Sequence, residues 1–113
     1  MIPLDASLSA LQSLQRAQAN VAHNVANSMT PGFQSAQAVF QPTPSGGVSV
    51  NLKQTHSPYD ESPDDFSDEP PDNDVDLAHE LTQSLIYRRA FQANAAVIRT
   101  LDETAGNFLD IIA

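Results

Sequence analysis

The sequence has no cysteine and no tryptophan, and it has only four glycines and five basic residues. Each shortage closes a class of function. Without cysteine there is no disulfide framework and no thiolate zinc site. Five bases against 14 acids give a formal net charge of −9. Nucleic acid and anionic membrane surfaces both reward Lys and Arg, so neither is expected as a partner. No apolar run approaches the roughly 20 residues of a bilayer-spanning helix, and direct membrane insertion is not expected either. The opening "MIPLDASLSALQSLQRAQ" lacks a basic leader followed by an apolar stretch, so the expectation is a chain without a cleaved signal peptide. With two Tyr and five Phe, burial falls mainly to Leu, Val, Ile and Ala. A chain of 113 residues has room for one domain with a modest core.

What is present divides the chain into four zones. Residues 1–29 hold an amphipathic helix. At about 100° per residue, Leu4, Leu8, Leu11, Leu14, Val21, Ala22, Val25 and Met29 gather on one side, while Ser13, Arg16, Asn20, Asn24 and Asn27 gather on the other. Gln18 is a polar exception inside the apolar stripe, and Asp5 or Ser7 is placed to cap the start. Pro31 disfavours helical geometry at Thr30, and Pro31-Gly32 suits the centre of a type II turn, so the helix should stop near Met29. Residues 30–55 read as turn and β-hairpin. "FQSAQAVFQP" and "GVSVNLKQT" alternate with period two, and "PTPSGG" between them is turn chemistry.

Residues 56–74, "HSPYDESPDDFSDEPPDND", hold four prolines and eight of the 14 acids, with no Lys or Arg. Such a composition buries too little apolar area to offset ordering entropy, and reads as a flexible acidic linker. Residues 75–113 form a second, longer helix. Tyr87, Phe91, Asn94, Ile98, Leu101, Ala105, Phe108 and Ile112 follow alternating steps of four and three, a coiled-coil seam. Leu81 and Leu85 sit on a different side and should face another neighbour. The fold class that follows is mainly α with a small β insert: terminal helices pairing as an antiparallel coiled coil, a hairpin between them and a flexible acidic linker.

Three asparagines on one helix face ask for a reason, because Asn competes for its own backbone and is a poor helix former. Asn20, Asn24 and Asn27 lie opposite the leucine side. Two accounts stand side by side. One is a solvated polar face, although Lys, Glu or Arg would serve it with better propensity. The other is a close-packed polar interface, where neutral amides donate and accept without burying charge. Asn94 sits inside the second seam, where a lone amide can fix register or partner number; the alternative is a border position between apolar and polar neighbours.

Catalytic constellations are nearly absent. His23, His56 and His79 fall in three zones without metal-ligand spacing, and His79-Glu80 lacks the second histidine of a zinc-binding helix. Asp72, Asp74 and Asp76 have the opening spacing of an EF-hand loop, but Leu77 stands where glycine is needed and Gln83 where a bidentate glutamate is needed. No glycine-rich phosphate loop exists. The residues point to no enzyme, metal or cofactor.

Two stretches together resemble the bacterial flagellar rod and hook family, the axial proteins of the basal body. "SLSALQSLQRAQANVAHNVANSMTPGFQS" is similar to that family's Ser-Ala-Leu helix start, mid-helix Gln, and Asn-Ile-Ala-Asn followed by Thr-x-Gly-Phe. "VDLAHELTQSLIYRRAFQANAAVIRTLDE" is similar to its Val-Asp-Leu, Gln-Arg-Ala-Phe-Gln-Ala-Asn and Val-Ile-x-Thr-x-Asp-Glu pattern, with Arg88 where the family has Gln. The two cover 58 of 113 residues in the family's order. The resemblance implies a structural subunit of the basal-body rod, exported unprocessed by the flagellar type III apparatus. Such subunits polymerise with themselves and other axial proteins through terminal helices that gain order on assembly. It implies subunit contacts at Asn20, Asn24, Asn27, Thr30, Pro31, Gly32, Phe33, Phe91, Asn94 and Ile98, with Thr30 to Phe33 as the bend leaving the tube. Only 41 residues separate "PGF" from "VDL", a length that resembles a proximal rod component, and the acidic linker departs from the family pattern. The competing expectation is a soluble helical-pair binding module, an export-associated adaptor or divergent paralogue that does not polymerise.

Overall fold

The computed structural model describes residues 3–54 and 73–113; most of the expected acidic linker lies outside them. The order is α1 (Pro3–Ala26), β1 (Ala36–Pro42), β2 (Val48–Gln54) and α2 (Leu77–Ile112). The described residues are mainly helical, with one two-stranded antiparallel sheet between the helices in sequence.

Local chemistry sets the ends of each element. Proline in the first turn of α1 removes an N–H that would have no helical partner. At the other end, α1 stops at Ala26, three residues short of Met29. The Asn27 side chain donates to the His23 carbonyl at 2.9 Å, and the Ser28 and Thr30 amides turn to i−3 carbonyls, tightening the last turn until it no longer propagates. Met29 consequently stands almost fully exposed, outside the apolar seam. The bend then forms as the sequence requires: Phe33 N–H donates to the Thr30 carbonyl at 3.2 Å, and Gly32 takes φ 73°, the left-handed position that follows Pro31 in a type II turn. At the start of α2, Asp76 is the N-cap and accepts from the amides of Ala78 and His79 at 3.1 and 3.3 Å.

The hairpin pairs Ala36 with Gln54, Ala38 with Leu52, Phe40 with Val50 and Pro42 with Val48. Its turn closes through Thr43 N–H to Gly47 O and Gly46 N–H to Thr43 O, both 2.9 Å, with Gly46 at φ 89°. A two-stranded hairpin is marginal in water, and here it is held down. Val50 is buried in a small core with Leu14, Ala17, Val21 and Tyr87, and Val25, Ala38, Ala90 and Phe91 pack against it. Phe40 meets Tyr87 with ring centroids 5.7 Å apart. The hairpin is thus part of the core rather than an excursion from it.

The helices run in opposite directions. Asn24 bonds Glu80 and, earlier on α1, Gln18 bonds Ser84 at 2.6 Å, which gives the polar exception in the stripe a partner. The expected seam on α2 is used only in part. Tyr87 is buried and Phe91, Asn94, Ile98 and Leu101 are half-buried, while Ala105, Phe108 and Ile112 are exposed.

The buried face of α1 is rotated from the one its leucines define. Ala17 is fully enclosed, Ser7, Ser13, Asn20 and Asn24 are buried, and Leu4 and Leu8 are about half exposed. Both flanks of the helix are occupied. Leu14, Val21 and Val25 belong to the apolar side, while hydroxyls and amides on the other flank meet hairpin backbone. Ser13 Oγ donates to the Val48 carbonyl at 3.0 Å, and Ser9 Oγ accepts from the Val48 amide at 3.2 Å. Edge strands carry unpaired backbone groups that demand partners, and short polar side chains on a helix can supply them where leucines cannot.

Candidate functional site

Among the described residues, polar side chains gather at the junction where the end of α1, the bend, the start of β1 and the start of α2 meet. Asn24 is its centre and has no exposed surface. Its Oδ1 accepts from the Ala36 amide at 3.3 Å. Its Nδ2 donates to the Ala36 carbonyl at 2.8 Å and to Glu80 Oε1 at 3.0 Å. A primary amide thereby pairs with both backbone groups of one strand residue, as a neighbouring strand would. Asn20, one turn earlier, adds a second donor to the same Ala36 carbonyl at 2.8 Å.

Around this pair the chain is stitched by further amides and carboxylates. Asn73 Nδ2 donates to the carbonyls of Asn27 and Thr30 at 2.7 and 2.8 Å, and its Oδ1 accepts from the Val75 amide at 2.9 Å. Asp74 Oδ1 accepts from the Ser35 amide at 2.6 Å. Thr30 Oγ1 donates to Asn27 Oδ1 at 3.2 Å, and Phe33 folds back edge-on against His23, centroids 5.4 Å apart. Helix end, bend and helix start are therefore one hydrogen-bonded unit. Removing the Asn24 amide would leave buried donors or acceptors unsatisfied, which costs about 1–3 kcal/mol for each group.

Glu80 brings a carboxylate into this unit at 7% exposure. Burial, and then the negative charge of Glu80, hold the Tyr87 hydroxyl above its usual range. Beside it lies a shallow depression of about 510 Å³ lined by Ser35, Ala36, Gln37, Asp74, Asp76, His79 and Glu80. Among the described residues no group of three or more His, Cys, Asp or Glu is placed to hold a metal ion. No helix among them is long and apolar enough to cross a membrane.

The ten residues singled out from the sequence fall into three places. Asn20, Asn24, Asn27, Thr30, Pro31, Gly32 and Phe33 come together at the junction. Phe91 packs against the core, and Ile98 is half-buried further along α2. Asn94 donates to the carbonyl of its own Ala90 at 2.9 Å, so one of its donors is spent within the helix. The polar face of α1 is neither solvated nor empty at Asn20 and Asn24, since their partners are the chain's own β1 and α2. Sequence reasoning missed Asn73 and Glu80, which answer the asparagines, and Asp74, which answers the Ser35 amide. An acid in the first turn of a helix is ordinary, so nothing local distinguishes Glu80. On the outer face of α2, Arg99 and Glu103 pair at 3.0 Å with both side chains exposed.

Two family models match the chain. Residues 4–34, α1 with its bend, match the flagella basal body rod protein model. Residues 73–111, from Asn73 along α2, match the flagellar basal body rod FlgEFG protein C-terminal model. Together they span more than half of the sequence, one on each side of the hairpin. The chain belongs to the flagellar basal-body rod family. No curated protein matches it as a relative. A rod-family chain is a structural protein of the basal body, and the junction has the character of a structural joint. Its two halves come one from each matched segment, and β1 is clamped between them at Ala36.

Proposed function

We propose that this chain is a building block of the flagellar rod that polymerises through its terminal helices, after export by the type III apparatus. The observation that carries the proposal is what stays bare once the protomer has folded. Leu77, Leu81, Leu85, Ile86, Val97, Phe108, Leu109, Ile111 and Ile112 are all exposed on α2, an amount of apolar surface that marks an association site rather than a free surface. Its partners are other copies and other axial proteins, and its place is the periplasmic rod. Within that assembly Asn20, Asn24, Phe91, Asn94 and Ile98 fix the shape of the protomer at its contact surfaces. Asn27 and the bend from Thr30 to Phe33 carry the chain from the helical layer to the hairpin at the subunit boundary.

Mass spectrometry of purified hook–basal bodies from the source cell tests this directly. The expected result is peptides of this chain in stoichiometric amount with the other axial proteins. A chain absent from those particles and recovered as a stable helical monomer would instead be the soluble binding module.

A further inference from the structure

The bare surface of α2 is organised in two patches of opposite charge. The face that Tyr87 and Phe91 turn inward continues at the same helical phase through Leu101, Ala105, Leu109 and Ile112, with Phe108 at its edge. Leu101 is half-buried, but Phe108, Leu109 and Ile112 are 62%, 67% and 67% exposed. Residues 102–112 carry Asp102, Glu103 and Asp110 and no base. The second patch is the flank formed by Leu81 and Leu85, 57% and 61% exposed, with Arg88 one turn beyond Leu85. From Leu81 to Leu101 the helix has Arg88, Arg89 and Arg99 and no acid; Arg99 is paired with Glu103 of its own helix, which leaves Arg88 and Arg89 to the patch and Asp102 and Asp110 to the tail.

One chain cannot join these patches, because Leu85 and Leu109 lie roughly 36 Å apart along one unbroken helix. We propose that residues 102–112 of one copy lie on the Leu81, Leu85 and Arg88 flank of a second copy, both α2 helices pointing the same way. The inference rests on the rod function and names one of its contacts. The tail's seam continues an interface the protomer already forms between its own helices. With Leu109 against Leu85, the shared direction puts Asp110 within a turn of Arg88, and that pair fixes the stagger, as charges at a partly apolar contact do. Because the two helices point the same way and are offset by roughly 36 Å, each added copy advances along one direction and the contact propagates.

The absence of cysteine makes the test clean. A chain carrying both Leu85→Cys and Leu109→Cys cannot form an internal disulfide across that distance. Hook–basal bodies from cells expressing it should give, on mild oxidation, a reducible ladder of linked copies. A Val97→Cys and Leu109→Cys chain, with Val97 on the other flank of α2, should give none. Arg88→Asp should abolish the ladder, and adding Asp110→Arg should restore it. The chain present in basal bodies without a ladder overturns this contact and leaves the rod function standing. The chain absent from basal bodies, with the single-cysteine and unsubstituted forms absent too, overturns both.

Discussion

The junction around Asn24 and the last three turns of α2 are opposites. At the junction, amides, a hydroxyl and one carboxylate are enclosed, and no buried side-chain nitrogen or oxygen among the described residues lacks a hydrogen bond. At the tail, Phe108, Leu109, Ile111 and Ile112 face outward. A domain that folds only for itself would put these the other way round. The difference assigns two tasks to two chemistries. Directional, short-range bonds define the shape of one protomer, because an amide either reaches the Ala36 backbone or leaves it unpaired. Non-directional apolar surface is kept for what the protomer meets.

If that division holds, substitutions should separate cleanly into those that damage the protomer and those that damage only its association. The largest effect on the protomer is expected at Asn24. Asn24→Ala removes the acceptor of the Ala36 amide, one of the two α1 donors to the Ala36 carbonyl (Asn20 keeps the other) and one donor to Glu80, for a loss of about 3 kcal/mol in urea unfolding. A smaller loss, about 1–2 kcal/mol, is expected for Gly47→Ala. A Cβ there would stand 2.5 Å from Ser9 Oγ, an atom already committed to Ala6 O and Val48 N.

A pH titration sharpens the same contrast at lower energy. Tyr87 has its hydroxyl pushed up by burial and by Glu80. A phenol with a raised folded-state value contributes stability that is intact below the unfolded value of about 10 and is lost as pH rises through the folded one. Ultraviolet titration in a Tyr59→Phe background should show Tyr87 ionising late, and Glu80→Gln should bring it down without reaching the free value, since burial is the larger cause. At the far end of the scale, Phe108→Ser should change monomer unfolding by less than about 0.5 kcal/mol while abolishing incorporation into basal bodies. A Phe108→Ser chain that unfolds easily would break the division from the other side.

Much of this architecture was legible beforehand, for reasons that are local. Pro31-Gly32 and the Gly46 turn specify their own backbone angles, period two in "GVSVNLKQT" marks β2, and the alternating steps from Tyr87 mark α2. The rod resemblance came from the same two segments that the family models match. The orientation of α1 was not legible. Leucines at 4 and 8 suggested the inward face, and the actual one passes through Ser13, Ala17 and Asn24. What turns it is the unpaired backbone of Ala36 and Val48, and backbone groups leave no trace in residue types. Glu80, answering Asn24 from 56 positions away, was hidden for the same reason: a long-range pair of common residues has no periodicity to betray it.

The central claim is that Asn24 holds the hairpin and α2 onto α1 within one protomer, and amide hydrogen exchange at Ala36 tests it most directly. In the soluble chain, Ala36 N–H should be protected together with the amides of α1 and the first turns of α2. Asn24→Ala should release that protection while Asn94→Ala leaves it in place. Rapid exchange at Ala36 in the unsubstituted chain, or protection unchanged by Asn24→Ala, would contradict the account.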